Sequence, residues 1–278
     1  MTAAPGGART YTLIPQGGLG NRMRALDSAL ALAADTGRKL VVVWHLDAGL
    51  NCRFEELFEV PAGVARIVTT RRHGRLGKLR NTLARRLNRL RYDQCLYEPA
   101  LFGYLEEHAD LKTLDRYDTV CIASCSRFYG STPLFRDIHP TADNQARIDH
   151  LTQQFGPRTI GIHIRRGDHR HAIANSPTEL FVTAMQQALA ENDNTGFFLA
   201  TDCPDTEREL RERFPGRIVT HAKRSLDRAD ATAIQDALVD LYGLAACERV
   251  VGSSLSSFTE VAAQIRGIPL QVIESGAG

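Results

Sequence analysis

The stretch "TIGIHI", residues 159–164, is a run of β-forming residues that passes directly into Arg165, Arg166, Asp168, His169, Arg170 and His171. A continuous apolar run suits a strand covered on both faces. Two adjacent guanidinium groups at its end imply an anion. In an extended strand His163 and Arg165 share a face and Arg166 takes the other. A guanidinium is always charged and forks onto phosphate oxygens through paired hydrogen bonds, so Arg165 suits a diphosphate. Arg166 reads as a salt-bridging residue, for instance with Asp168. His163, Asp168, His169 and His171 are metal-ligand types, but the arginines among them repel a cation, and no metal site is expected.

Other strand ends add to this set. "GGLGNR" (17–22) has glycines that let backbone amides approach a ligand while the following helix turns its positive end towards it. A tight turn without a ligand satisfies the same pattern. "VVGSSLSSFTEVAAQIRG" (250–267) runs from a strand through serines into a helix, where Ser256 or Ser257 can cap and Ser257 with Glu260 has capping-box spacing. Hydroxyls at a helix N-terminus also suit phosphate. "FFLATD" ends a strand in Thr201 and Asp202. Asp236 and Asp240 sit one helical turn apart, and a carboxylate such as Asp240 can accept the paired N1 and N2 donors of guanine.

The elements that must position these residues alternate. Strand 10–15, a glycine loop, helix 21–35 and strand 39–46 form a βαβ unit. From residue 158 the pattern returns: strands 158–165, 196–201, 217–221, 249–252 and 269–273, with helices 177–191, 204–214, 231–247 and 257–266. Leu76, Leu79, Leu83, Leu87 and Leu90 recur at helical spacing among arginines, which predicts a basic amphipathic helix over 71–92. Gly156 and Pro157 suggest a division there. The expected organisation is a tail at 1–9, an N-terminal Rossmann-like domain at 10–156 and a C-terminal one at 157–278, the two parallel sheets facing a cleft.

Composition narrows the class. Of 34 Lys and Arg in 278 residues, ten lie within 60–92, which holds no acid, so the remainder carries 24 basic against 32 acidic residues. Such a segment suits an anionic lipid surface, an acidic acceptor or nucleic acid, and a solvated helix face is the plainer reading. Six scattered cysteines without paired spacing read as reduced thiols. With no signal-like or membrane-length apolar run, the expectation is a cytoplasmic protein, peripheral at a membrane if it meets one.

Together, "GGLGNRMRALDSALALAADTGRKLVV", "HIRRGD", "LATD" and "VDLYGLAACERVVGSSLSSFTEVAA" resemble, in this order, the superfamily of protein O-fucosyltransferases and bacterial and animal α-1,6-fucosyltransferases. The likeness covers 11–46 and 158–265 well and 50–155 poorly. It implies an α/β fold of GT-B type, GDP-fucose as donor substrate with no further cofactor, a hydroxyl acceptor, inversion at the anomeric carbon and no metal. By position it assigns Gly18, Leu19, Gly20 and Asn21 to the border of the sugar and diphosphate, with His163 and Arg165 on the nucleotide and its β-phosphate. It gives Asp240 to guanine and Ser257 and Phe258 to the donor site, to which Asp202 and Ser256 are added, with Arg165 as the catalytic residue. Asn21 is a poor proton acceptor where some relatives carry their base, and none of Asp27, Asp168 or His45 is assigned that role. Two alternatives stand beside this: a transferase or inactive relative using another GDP-hexose, and a nucleic-acid-binding protein using the arginine-rich helix. That helix lacks interleaved aromatics before Tyr92, which disfavours the second.

Overall fold

A computed structural model describes residues 9–72, 77–130, 132–167, 175–227 and 229–275. Asp168, His169, Arg170 and His171 lie outside them, as do residues 1–8 of the expected tail. Two five-stranded sheets form, both wholly parallel. The first holds β1 (Thr10–Pro15), β2 (Lys39–Leu46), β3 (Val64–Arg71), β4 (Gln94–Tyr97) and β5 (Thr119–Ser124) in the order β3-β2-β1-β5-β4. The second holds β6 (Thr159–Ile164), β7 (Gly196–Thr201), β8 (Ile218–Val219), β9 (Val250–Ser253) and β10 (Leu270–Ile273) in the order β10-β9-β6-β7-β8. The helices are α1 (Leu19–Asp35), α2 (Gly77–Arg91), α3 (Ala100–His108), α4 (Ala142–Thr152), α5 (Thr178–Glu191), α6 (Pro204–Arg213), α7 (Ala231–Ala245) and α8 (Ser257–Arg266).

In each sheet the strand order reverses at the strand that comes first in the chain: β1 lies between β2 and β5, and β6 between β7 and β9. Ligands of open parallel sheets bind beyond the carboxyl ends at such a reversal. The glycine loop follows β1, and Arg165 follows β6.

The described residues divide into two compact units, one within Met1–Thr141 and Arg228–Ile234, the other within Ala142–Asp227 and Gln235–Gly278. The division at Thr141 corrects the expected one at 156. Gly156 and Pro157 break the chain between α4 and β6, inside the second unit, so they mark a turn within a unit and not a linker.

β6 is buried at all six positions, as its composition requires. Ile160, Ile162 and Ile164 pack with Phe181 and Met185 of α5 and Phe197 and Leu199 of β7. The other side tolerates no side chain at two points. A Cβ on Gly161 would stand 2.9 Å from Leu244, and one on Gly252 would stand 2.1 Å from Thr259. Hydrogen alone at these positions lets α7 and α8 approach the sheet.

Other boundaries differ from the sequence reading. α1 starts at Leu19, with Arg22 N–H donating to Gly18 O at 3.0 Å, so the loop shrinks to Gly17 and Gly18. β8 is two residues long. Over 71–92, β3 runs through Arg71 and the described helix spans Gly77–Arg91, while 73–76 lie outside the described residues. Leu83, Leu87 and Leu90 are 56%, 54% and 86% exposed. No described helix is long and apolar enough to cross a membrane.

The Gly252 contact yields a test. Gly252→Ala drives a methyl into Thr259, an overpacking that costs about 1–3 kcal/mol. The urea midpoint should fall accordingly, whereas Gly216→Ala, at a turn with φ +73° and no neighbour within 4 Å, should lose only about 1 kcal/mol from backbone strain.

Candidate functional site

In the second unit the carboxyl ends of β6, β7 and β9 meet the start of α8. His163, on the face of β6 opposite Ile164, pairs across the sheet with Gly252. It is buried, its Nδ1 lies 2.6 Å from Thr259 Oγ1, and its ring lies against Phe258, tilted by 30° with centroids 4.9 Å apart. Burial pulls its pKa down to about 4, with Asp202 opposing and the Arg165 guanidinium assisting. The imidazole is therefore neutral at pH 7, and the positive charge at this strand end belongs to the arginines.

The backbone beyond β6 is tied down on both sides. Arg165 N–H donates to Ser253 Oγ at 3.2 Å, and Ser253 Oγ reaches His163 O at 3.4 Å. Asp202 accepts Arg166 N–H at 2.7 Å on one oxygen and Gly167 N–H at 3.1 Å on the other. The Arg166 side chain turns away into the unit, donating to Arg165 O, Ser176 O and Thr178 Oγ1 at 3.1, 2.9 and 3.0 Å. Arg166 is thus tied into the unit by carbonyls and a hydroxyl, as its position on the opposite face implies; the expected ion pair with Asp168 lies outside the described residues.

The serine cluster is a wired turn. Ser254 N–H donates to Ser176 Oγ at 3.0 Å, and Ser254 Oγ donates to Glu274 at 2.6 Å. Leu255 adopts φ +57°, a left-handed conformation that costs a branched residue energy and recurs at functional turns. Ser256 occupies the N-cap of α8 without a side-chain capping bond, which corrects the expected cap. Its Oγ is buried with no partner among the described residues. A buried, unspent hydroxyl beside first-turn amides is suited to a phosphate oxygen. Ser257 and Phe258 follow, both half-buried.

The first unit organises its glycine turn around a residue that the sequence did not flag. Arg22 is fully buried; its guanidinium donates to Gly17 O at 2.8 Å, His45 O at 2.6 Å and Asp47 at 2.9 Å, and lies 4.8 Å over the Trp44 ring. Burial lowers its pKa while Asp47 counters. Gly17 has φ +80°, and a Cβ there would strike Asn21 Nδ2 at 2.6 Å, so this glycine is required by geometry. Leu19 and Gly20 are buried in the first turn of α1, and Gly18 and Asn21 are half-buried. Asn21 accepts from Arg24 at 2.7 Å.

The structure therefore brings His163, Arg165, Ser256, Ser257 and Phe258 together in the second unit, with Asp202 beneath them as the anchor of the loop. Asp240 is 5% exposed and paired with Lys223 Nζ at 2.7 Å. Reading a guanine edge would require it to share that carboxylate with the ammonium. Asp27 is closed as a base by an ion pair with Arg127 and by Phe135 N–H at 2.9 Å. Among the described residues no group of three His, Cys, Asp or Glu could hold a metal.

Compared with solved structures, the chain superposes on NodZ α-1,6-fucosyltransferase soaked with GDP-fucose with a TM-score of 0.65 at 22% identity, covering 93% of this chain and 92% of that one. The fold is that of fucosyltransferases. NodZ from Bradyrhizobium gives 0.67 at 21%, covering 98% and 96%. POFUT1 in complex with GDP gives 0.59 at 13%, covering 97% and 99%. The α/β class of GT-B type with two parallel sheets, expected from the sequence, is the fold these enzymes share. No family model and no curated protein sequence matches the chain.

The buried neutral histidine makes stability depend on pH. An unfolded histidine titrates near 6.5 and His163 in the fold at about 4. Between those values the unfolded chain holds more protons, so stability rises with pH. Acidifying from 6.5 to 4 should remove stability on the order of 3 kcal/mol through this residue. Urea midpoints at pH 7 and pH 4.5 should converge more for His163→Gln than for the unaltered chain, the other titrating groups being common to both.

Proposed function

We propose that the chain is a glycosyltransferase that moves fucose from GDP-fucose to a hydroxyl acceptor, with inversion and without a metal. The observation that carries this is the delivery of Arg165, by a wholly buried strand, to the sheet's reversal point, where its backbone meets Ser253 at the end of β9 and the turn after β9 leads to the unpartnered Ser256 hydroxyl. The fold supports the donor class, since neighbours sharing it were crystallised with GDP or GDP-fucose. Departure of GDP builds negative charge on the diphosphate as an oxocarbenium-like sugar develops. A fixed guanidinium answers that charge without reorganising, which lowers the barrier. His163, neutral and held by Thr259 and Phe258, serves as a hydrogen-bonding neighbour and not as a cation. Ser256 and the amides of the first turn of α8 supply further donors to the phosphates. Acceptors in keeping with this chemistry are a glycan, a lipid-linked saccharide, a small molecule or a peptide Ser or Thr.

The basic helix fits a peripheral lipid contact better than a nucleic acid. Its exposed residues alternate Leu83, Leu87 and Leu90 with Arg86 and Arg89, so hydrocarbon meets leucine and anionic headgroups meet guanidinium. Base stacking would require aromatics at those positions.

Arg165→Ala should lower turnover of GDP-fucose by about two to three orders of magnitude with an unchanged unfolding midpoint; near-normal turnover overturns the assignment. In a thermal-shift series GDP should stabilise the protein where UDP and ADP do not, because selective binding to the native state raises stability. Preference for UDP would replace the donor. Flotation should recover the chain with anionic vesicles and not with zwitterionic ones, and Leu87→Ser with Leu90→Ser should abolish it.

A further inference from the structure

Cys95 and Cys121 are distant in the chain, but the first sheet sets them side by side. β4 and β5 run parallel, and the two residues are direct partners in the register. Such partners point to the same face, on strands about 4.7–4.9 Å apart. That separation falls inside the roughly 4.4–6.8 Å between α-carbons that a disulfide accepts. Parallel Cβ atoms keep nearly the strand spacing, a little beyond the roughly 3.5–4.5 Å of a relaxed bridge, so closure asks one strand to shift. β4 is able to shift: it is four residues long and, as the outermost strand, pairs only with β5. Both cysteines are free thiols.

The two thiols are unequal. Cys121 is buried in a cluster with Ile14 and Ala123, whereas Cys95 is half-buried and packs against that cluster from its margin. The Cys121 thiol donates to Cys95, which holds the Cys95 pKa below its ordinary value; burial opposes this and the Arg89 guanidinium assists. The same hydrogen bond, together with burial, pushes Cys121 up. Cys95 is therefore the thiolate former and Cys121 its shielded neighbour. A thiolate is the nucleophile in thiol oxidation, and a second thiol at hand captures the product. Three other cysteines are worse placed. Cys52 and Cys247 are buried, and burial raises the pKa of each. Burial and the Glu98 carboxylate, which accepts the Cys125 thiol at 3.3 Å, disfavour the Cys125 thiolate.

We propose that Cys95 and Cys121 are an oxidation site for hydroperoxides, closing reversibly to a cross-strand disulfide. The Cys95 thiolate attacks the terminal oxygen of the hydroperoxide, the O–O bond breaks, and the departing oxide takes up a proton and leaves as an alcohol or water. Cys95 is then a sulfenic acid. Cys121, giving up its proton, attacks the Cys95 sulfur, and the sulfenic oxygen leaves with a proton as water. The two thiols lose two electrons and two protons, and the hydroperoxide takes both. The spacing beyond the relaxed range leaves the bridge readily opened by a dithiol. Arg85 and Asn88 of α2 meet Tyr97, two residues along the same face of β4, so the bond closes beside the basic helix. The chemistry needs no sugar donor and stands apart from the transferase reading.

Hydrogen peroxide, added to the full reduced chain, is the probe, with products mapped by mass spectrometry without reduction. The intact mass should fall by two hydrogens, the Cys95 and Cys121 peptides should appear joined, and dithiothreitol should restore both. Cys121→Ser should leave a sulfenic acid at Cys95 that dimedone traps, several-fold more abundant than in the unaltered chain. Cys95→Ser should abolish the loss of hydrogens, whereas Cys203→Ser, at a thiol outside the first sheet, should oxidise as the unaltered chain does. The joined peptides are read in the unaltered chain, so a variant that fails to fold leaves the decision unaffected. Absence of the joined peptides, a bridge between other cysteines in their place, or a Cys95→Ser chain that still loses two hydrogens overturns the proposal.

Discussion

Asp202 governs the geometry at the end of β6. By accepting the amides of both Arg166 and Gly167, one carboxylate forces the chain to turn as soon as the strand leaves the core. A strand buried on both faces cannot host a charge, so the first charged residue must fall at its end, and the turn decides where that charge goes. Here it splits two neighbours: Arg166 is drawn down onto Ser176 and Thr178, and Arg165 stays with Ser253 and His163. Gly167 is part of the same device, because a Cβ there would press on Asp202 at 2.9 Å.

The two units solve a common problem with different means. Both are five-stranded parallel sheets whose order reverses at the first strand, but the last two strands of the first unit are exchanged relative to those of the second. In the first, the turn after the opening strand is pinned from below by the Arg22 guanidinium, which spans β1 and β2. In the second, a carboxylate does the pinning. One unit thus buries a cation under a glycine turn, and the other sets an anion under an arginine turn.

Much of this was legible in the sequence. The run of isoleucines, the glycines and the alternation of strand and helix placed β1, β2, β6, β7, α5 and α8 to within a residue or two, because burial on both faces leaves a continuous apolar signature. The arginine pair was separable by strand periodicity alone. What stayed hidden depends on tertiary partners. A fully buried Arg22 has no local signature, since its cost is met by Gly17, His45 and Asp47 from elsewhere. Ser256 looked like a cap because serine at that spacing usually caps, yet its hydroxyl makes no such bond. The leucine stripe of α2 was legible as one face of an amphipathic helix, but periodicity reports a face and not what covers it. The division at Thr141 was missed because Gly156 and Pro157 punctuate any turn equally well.

The allocation of Arg228–Ile234 to the first unit means that the chain passes between the units at 141/142, again near 228 and once more at 234/235. No single scission therefore yields two complete halves; a fragment ending at Thr141 lacks the seven residues that return later, among them Ala229, whose carbonyl accepts from Asn51 at 2.6 Å. Recombination with a relative is constrained in the same way. Swapping one half for another takes three junctions.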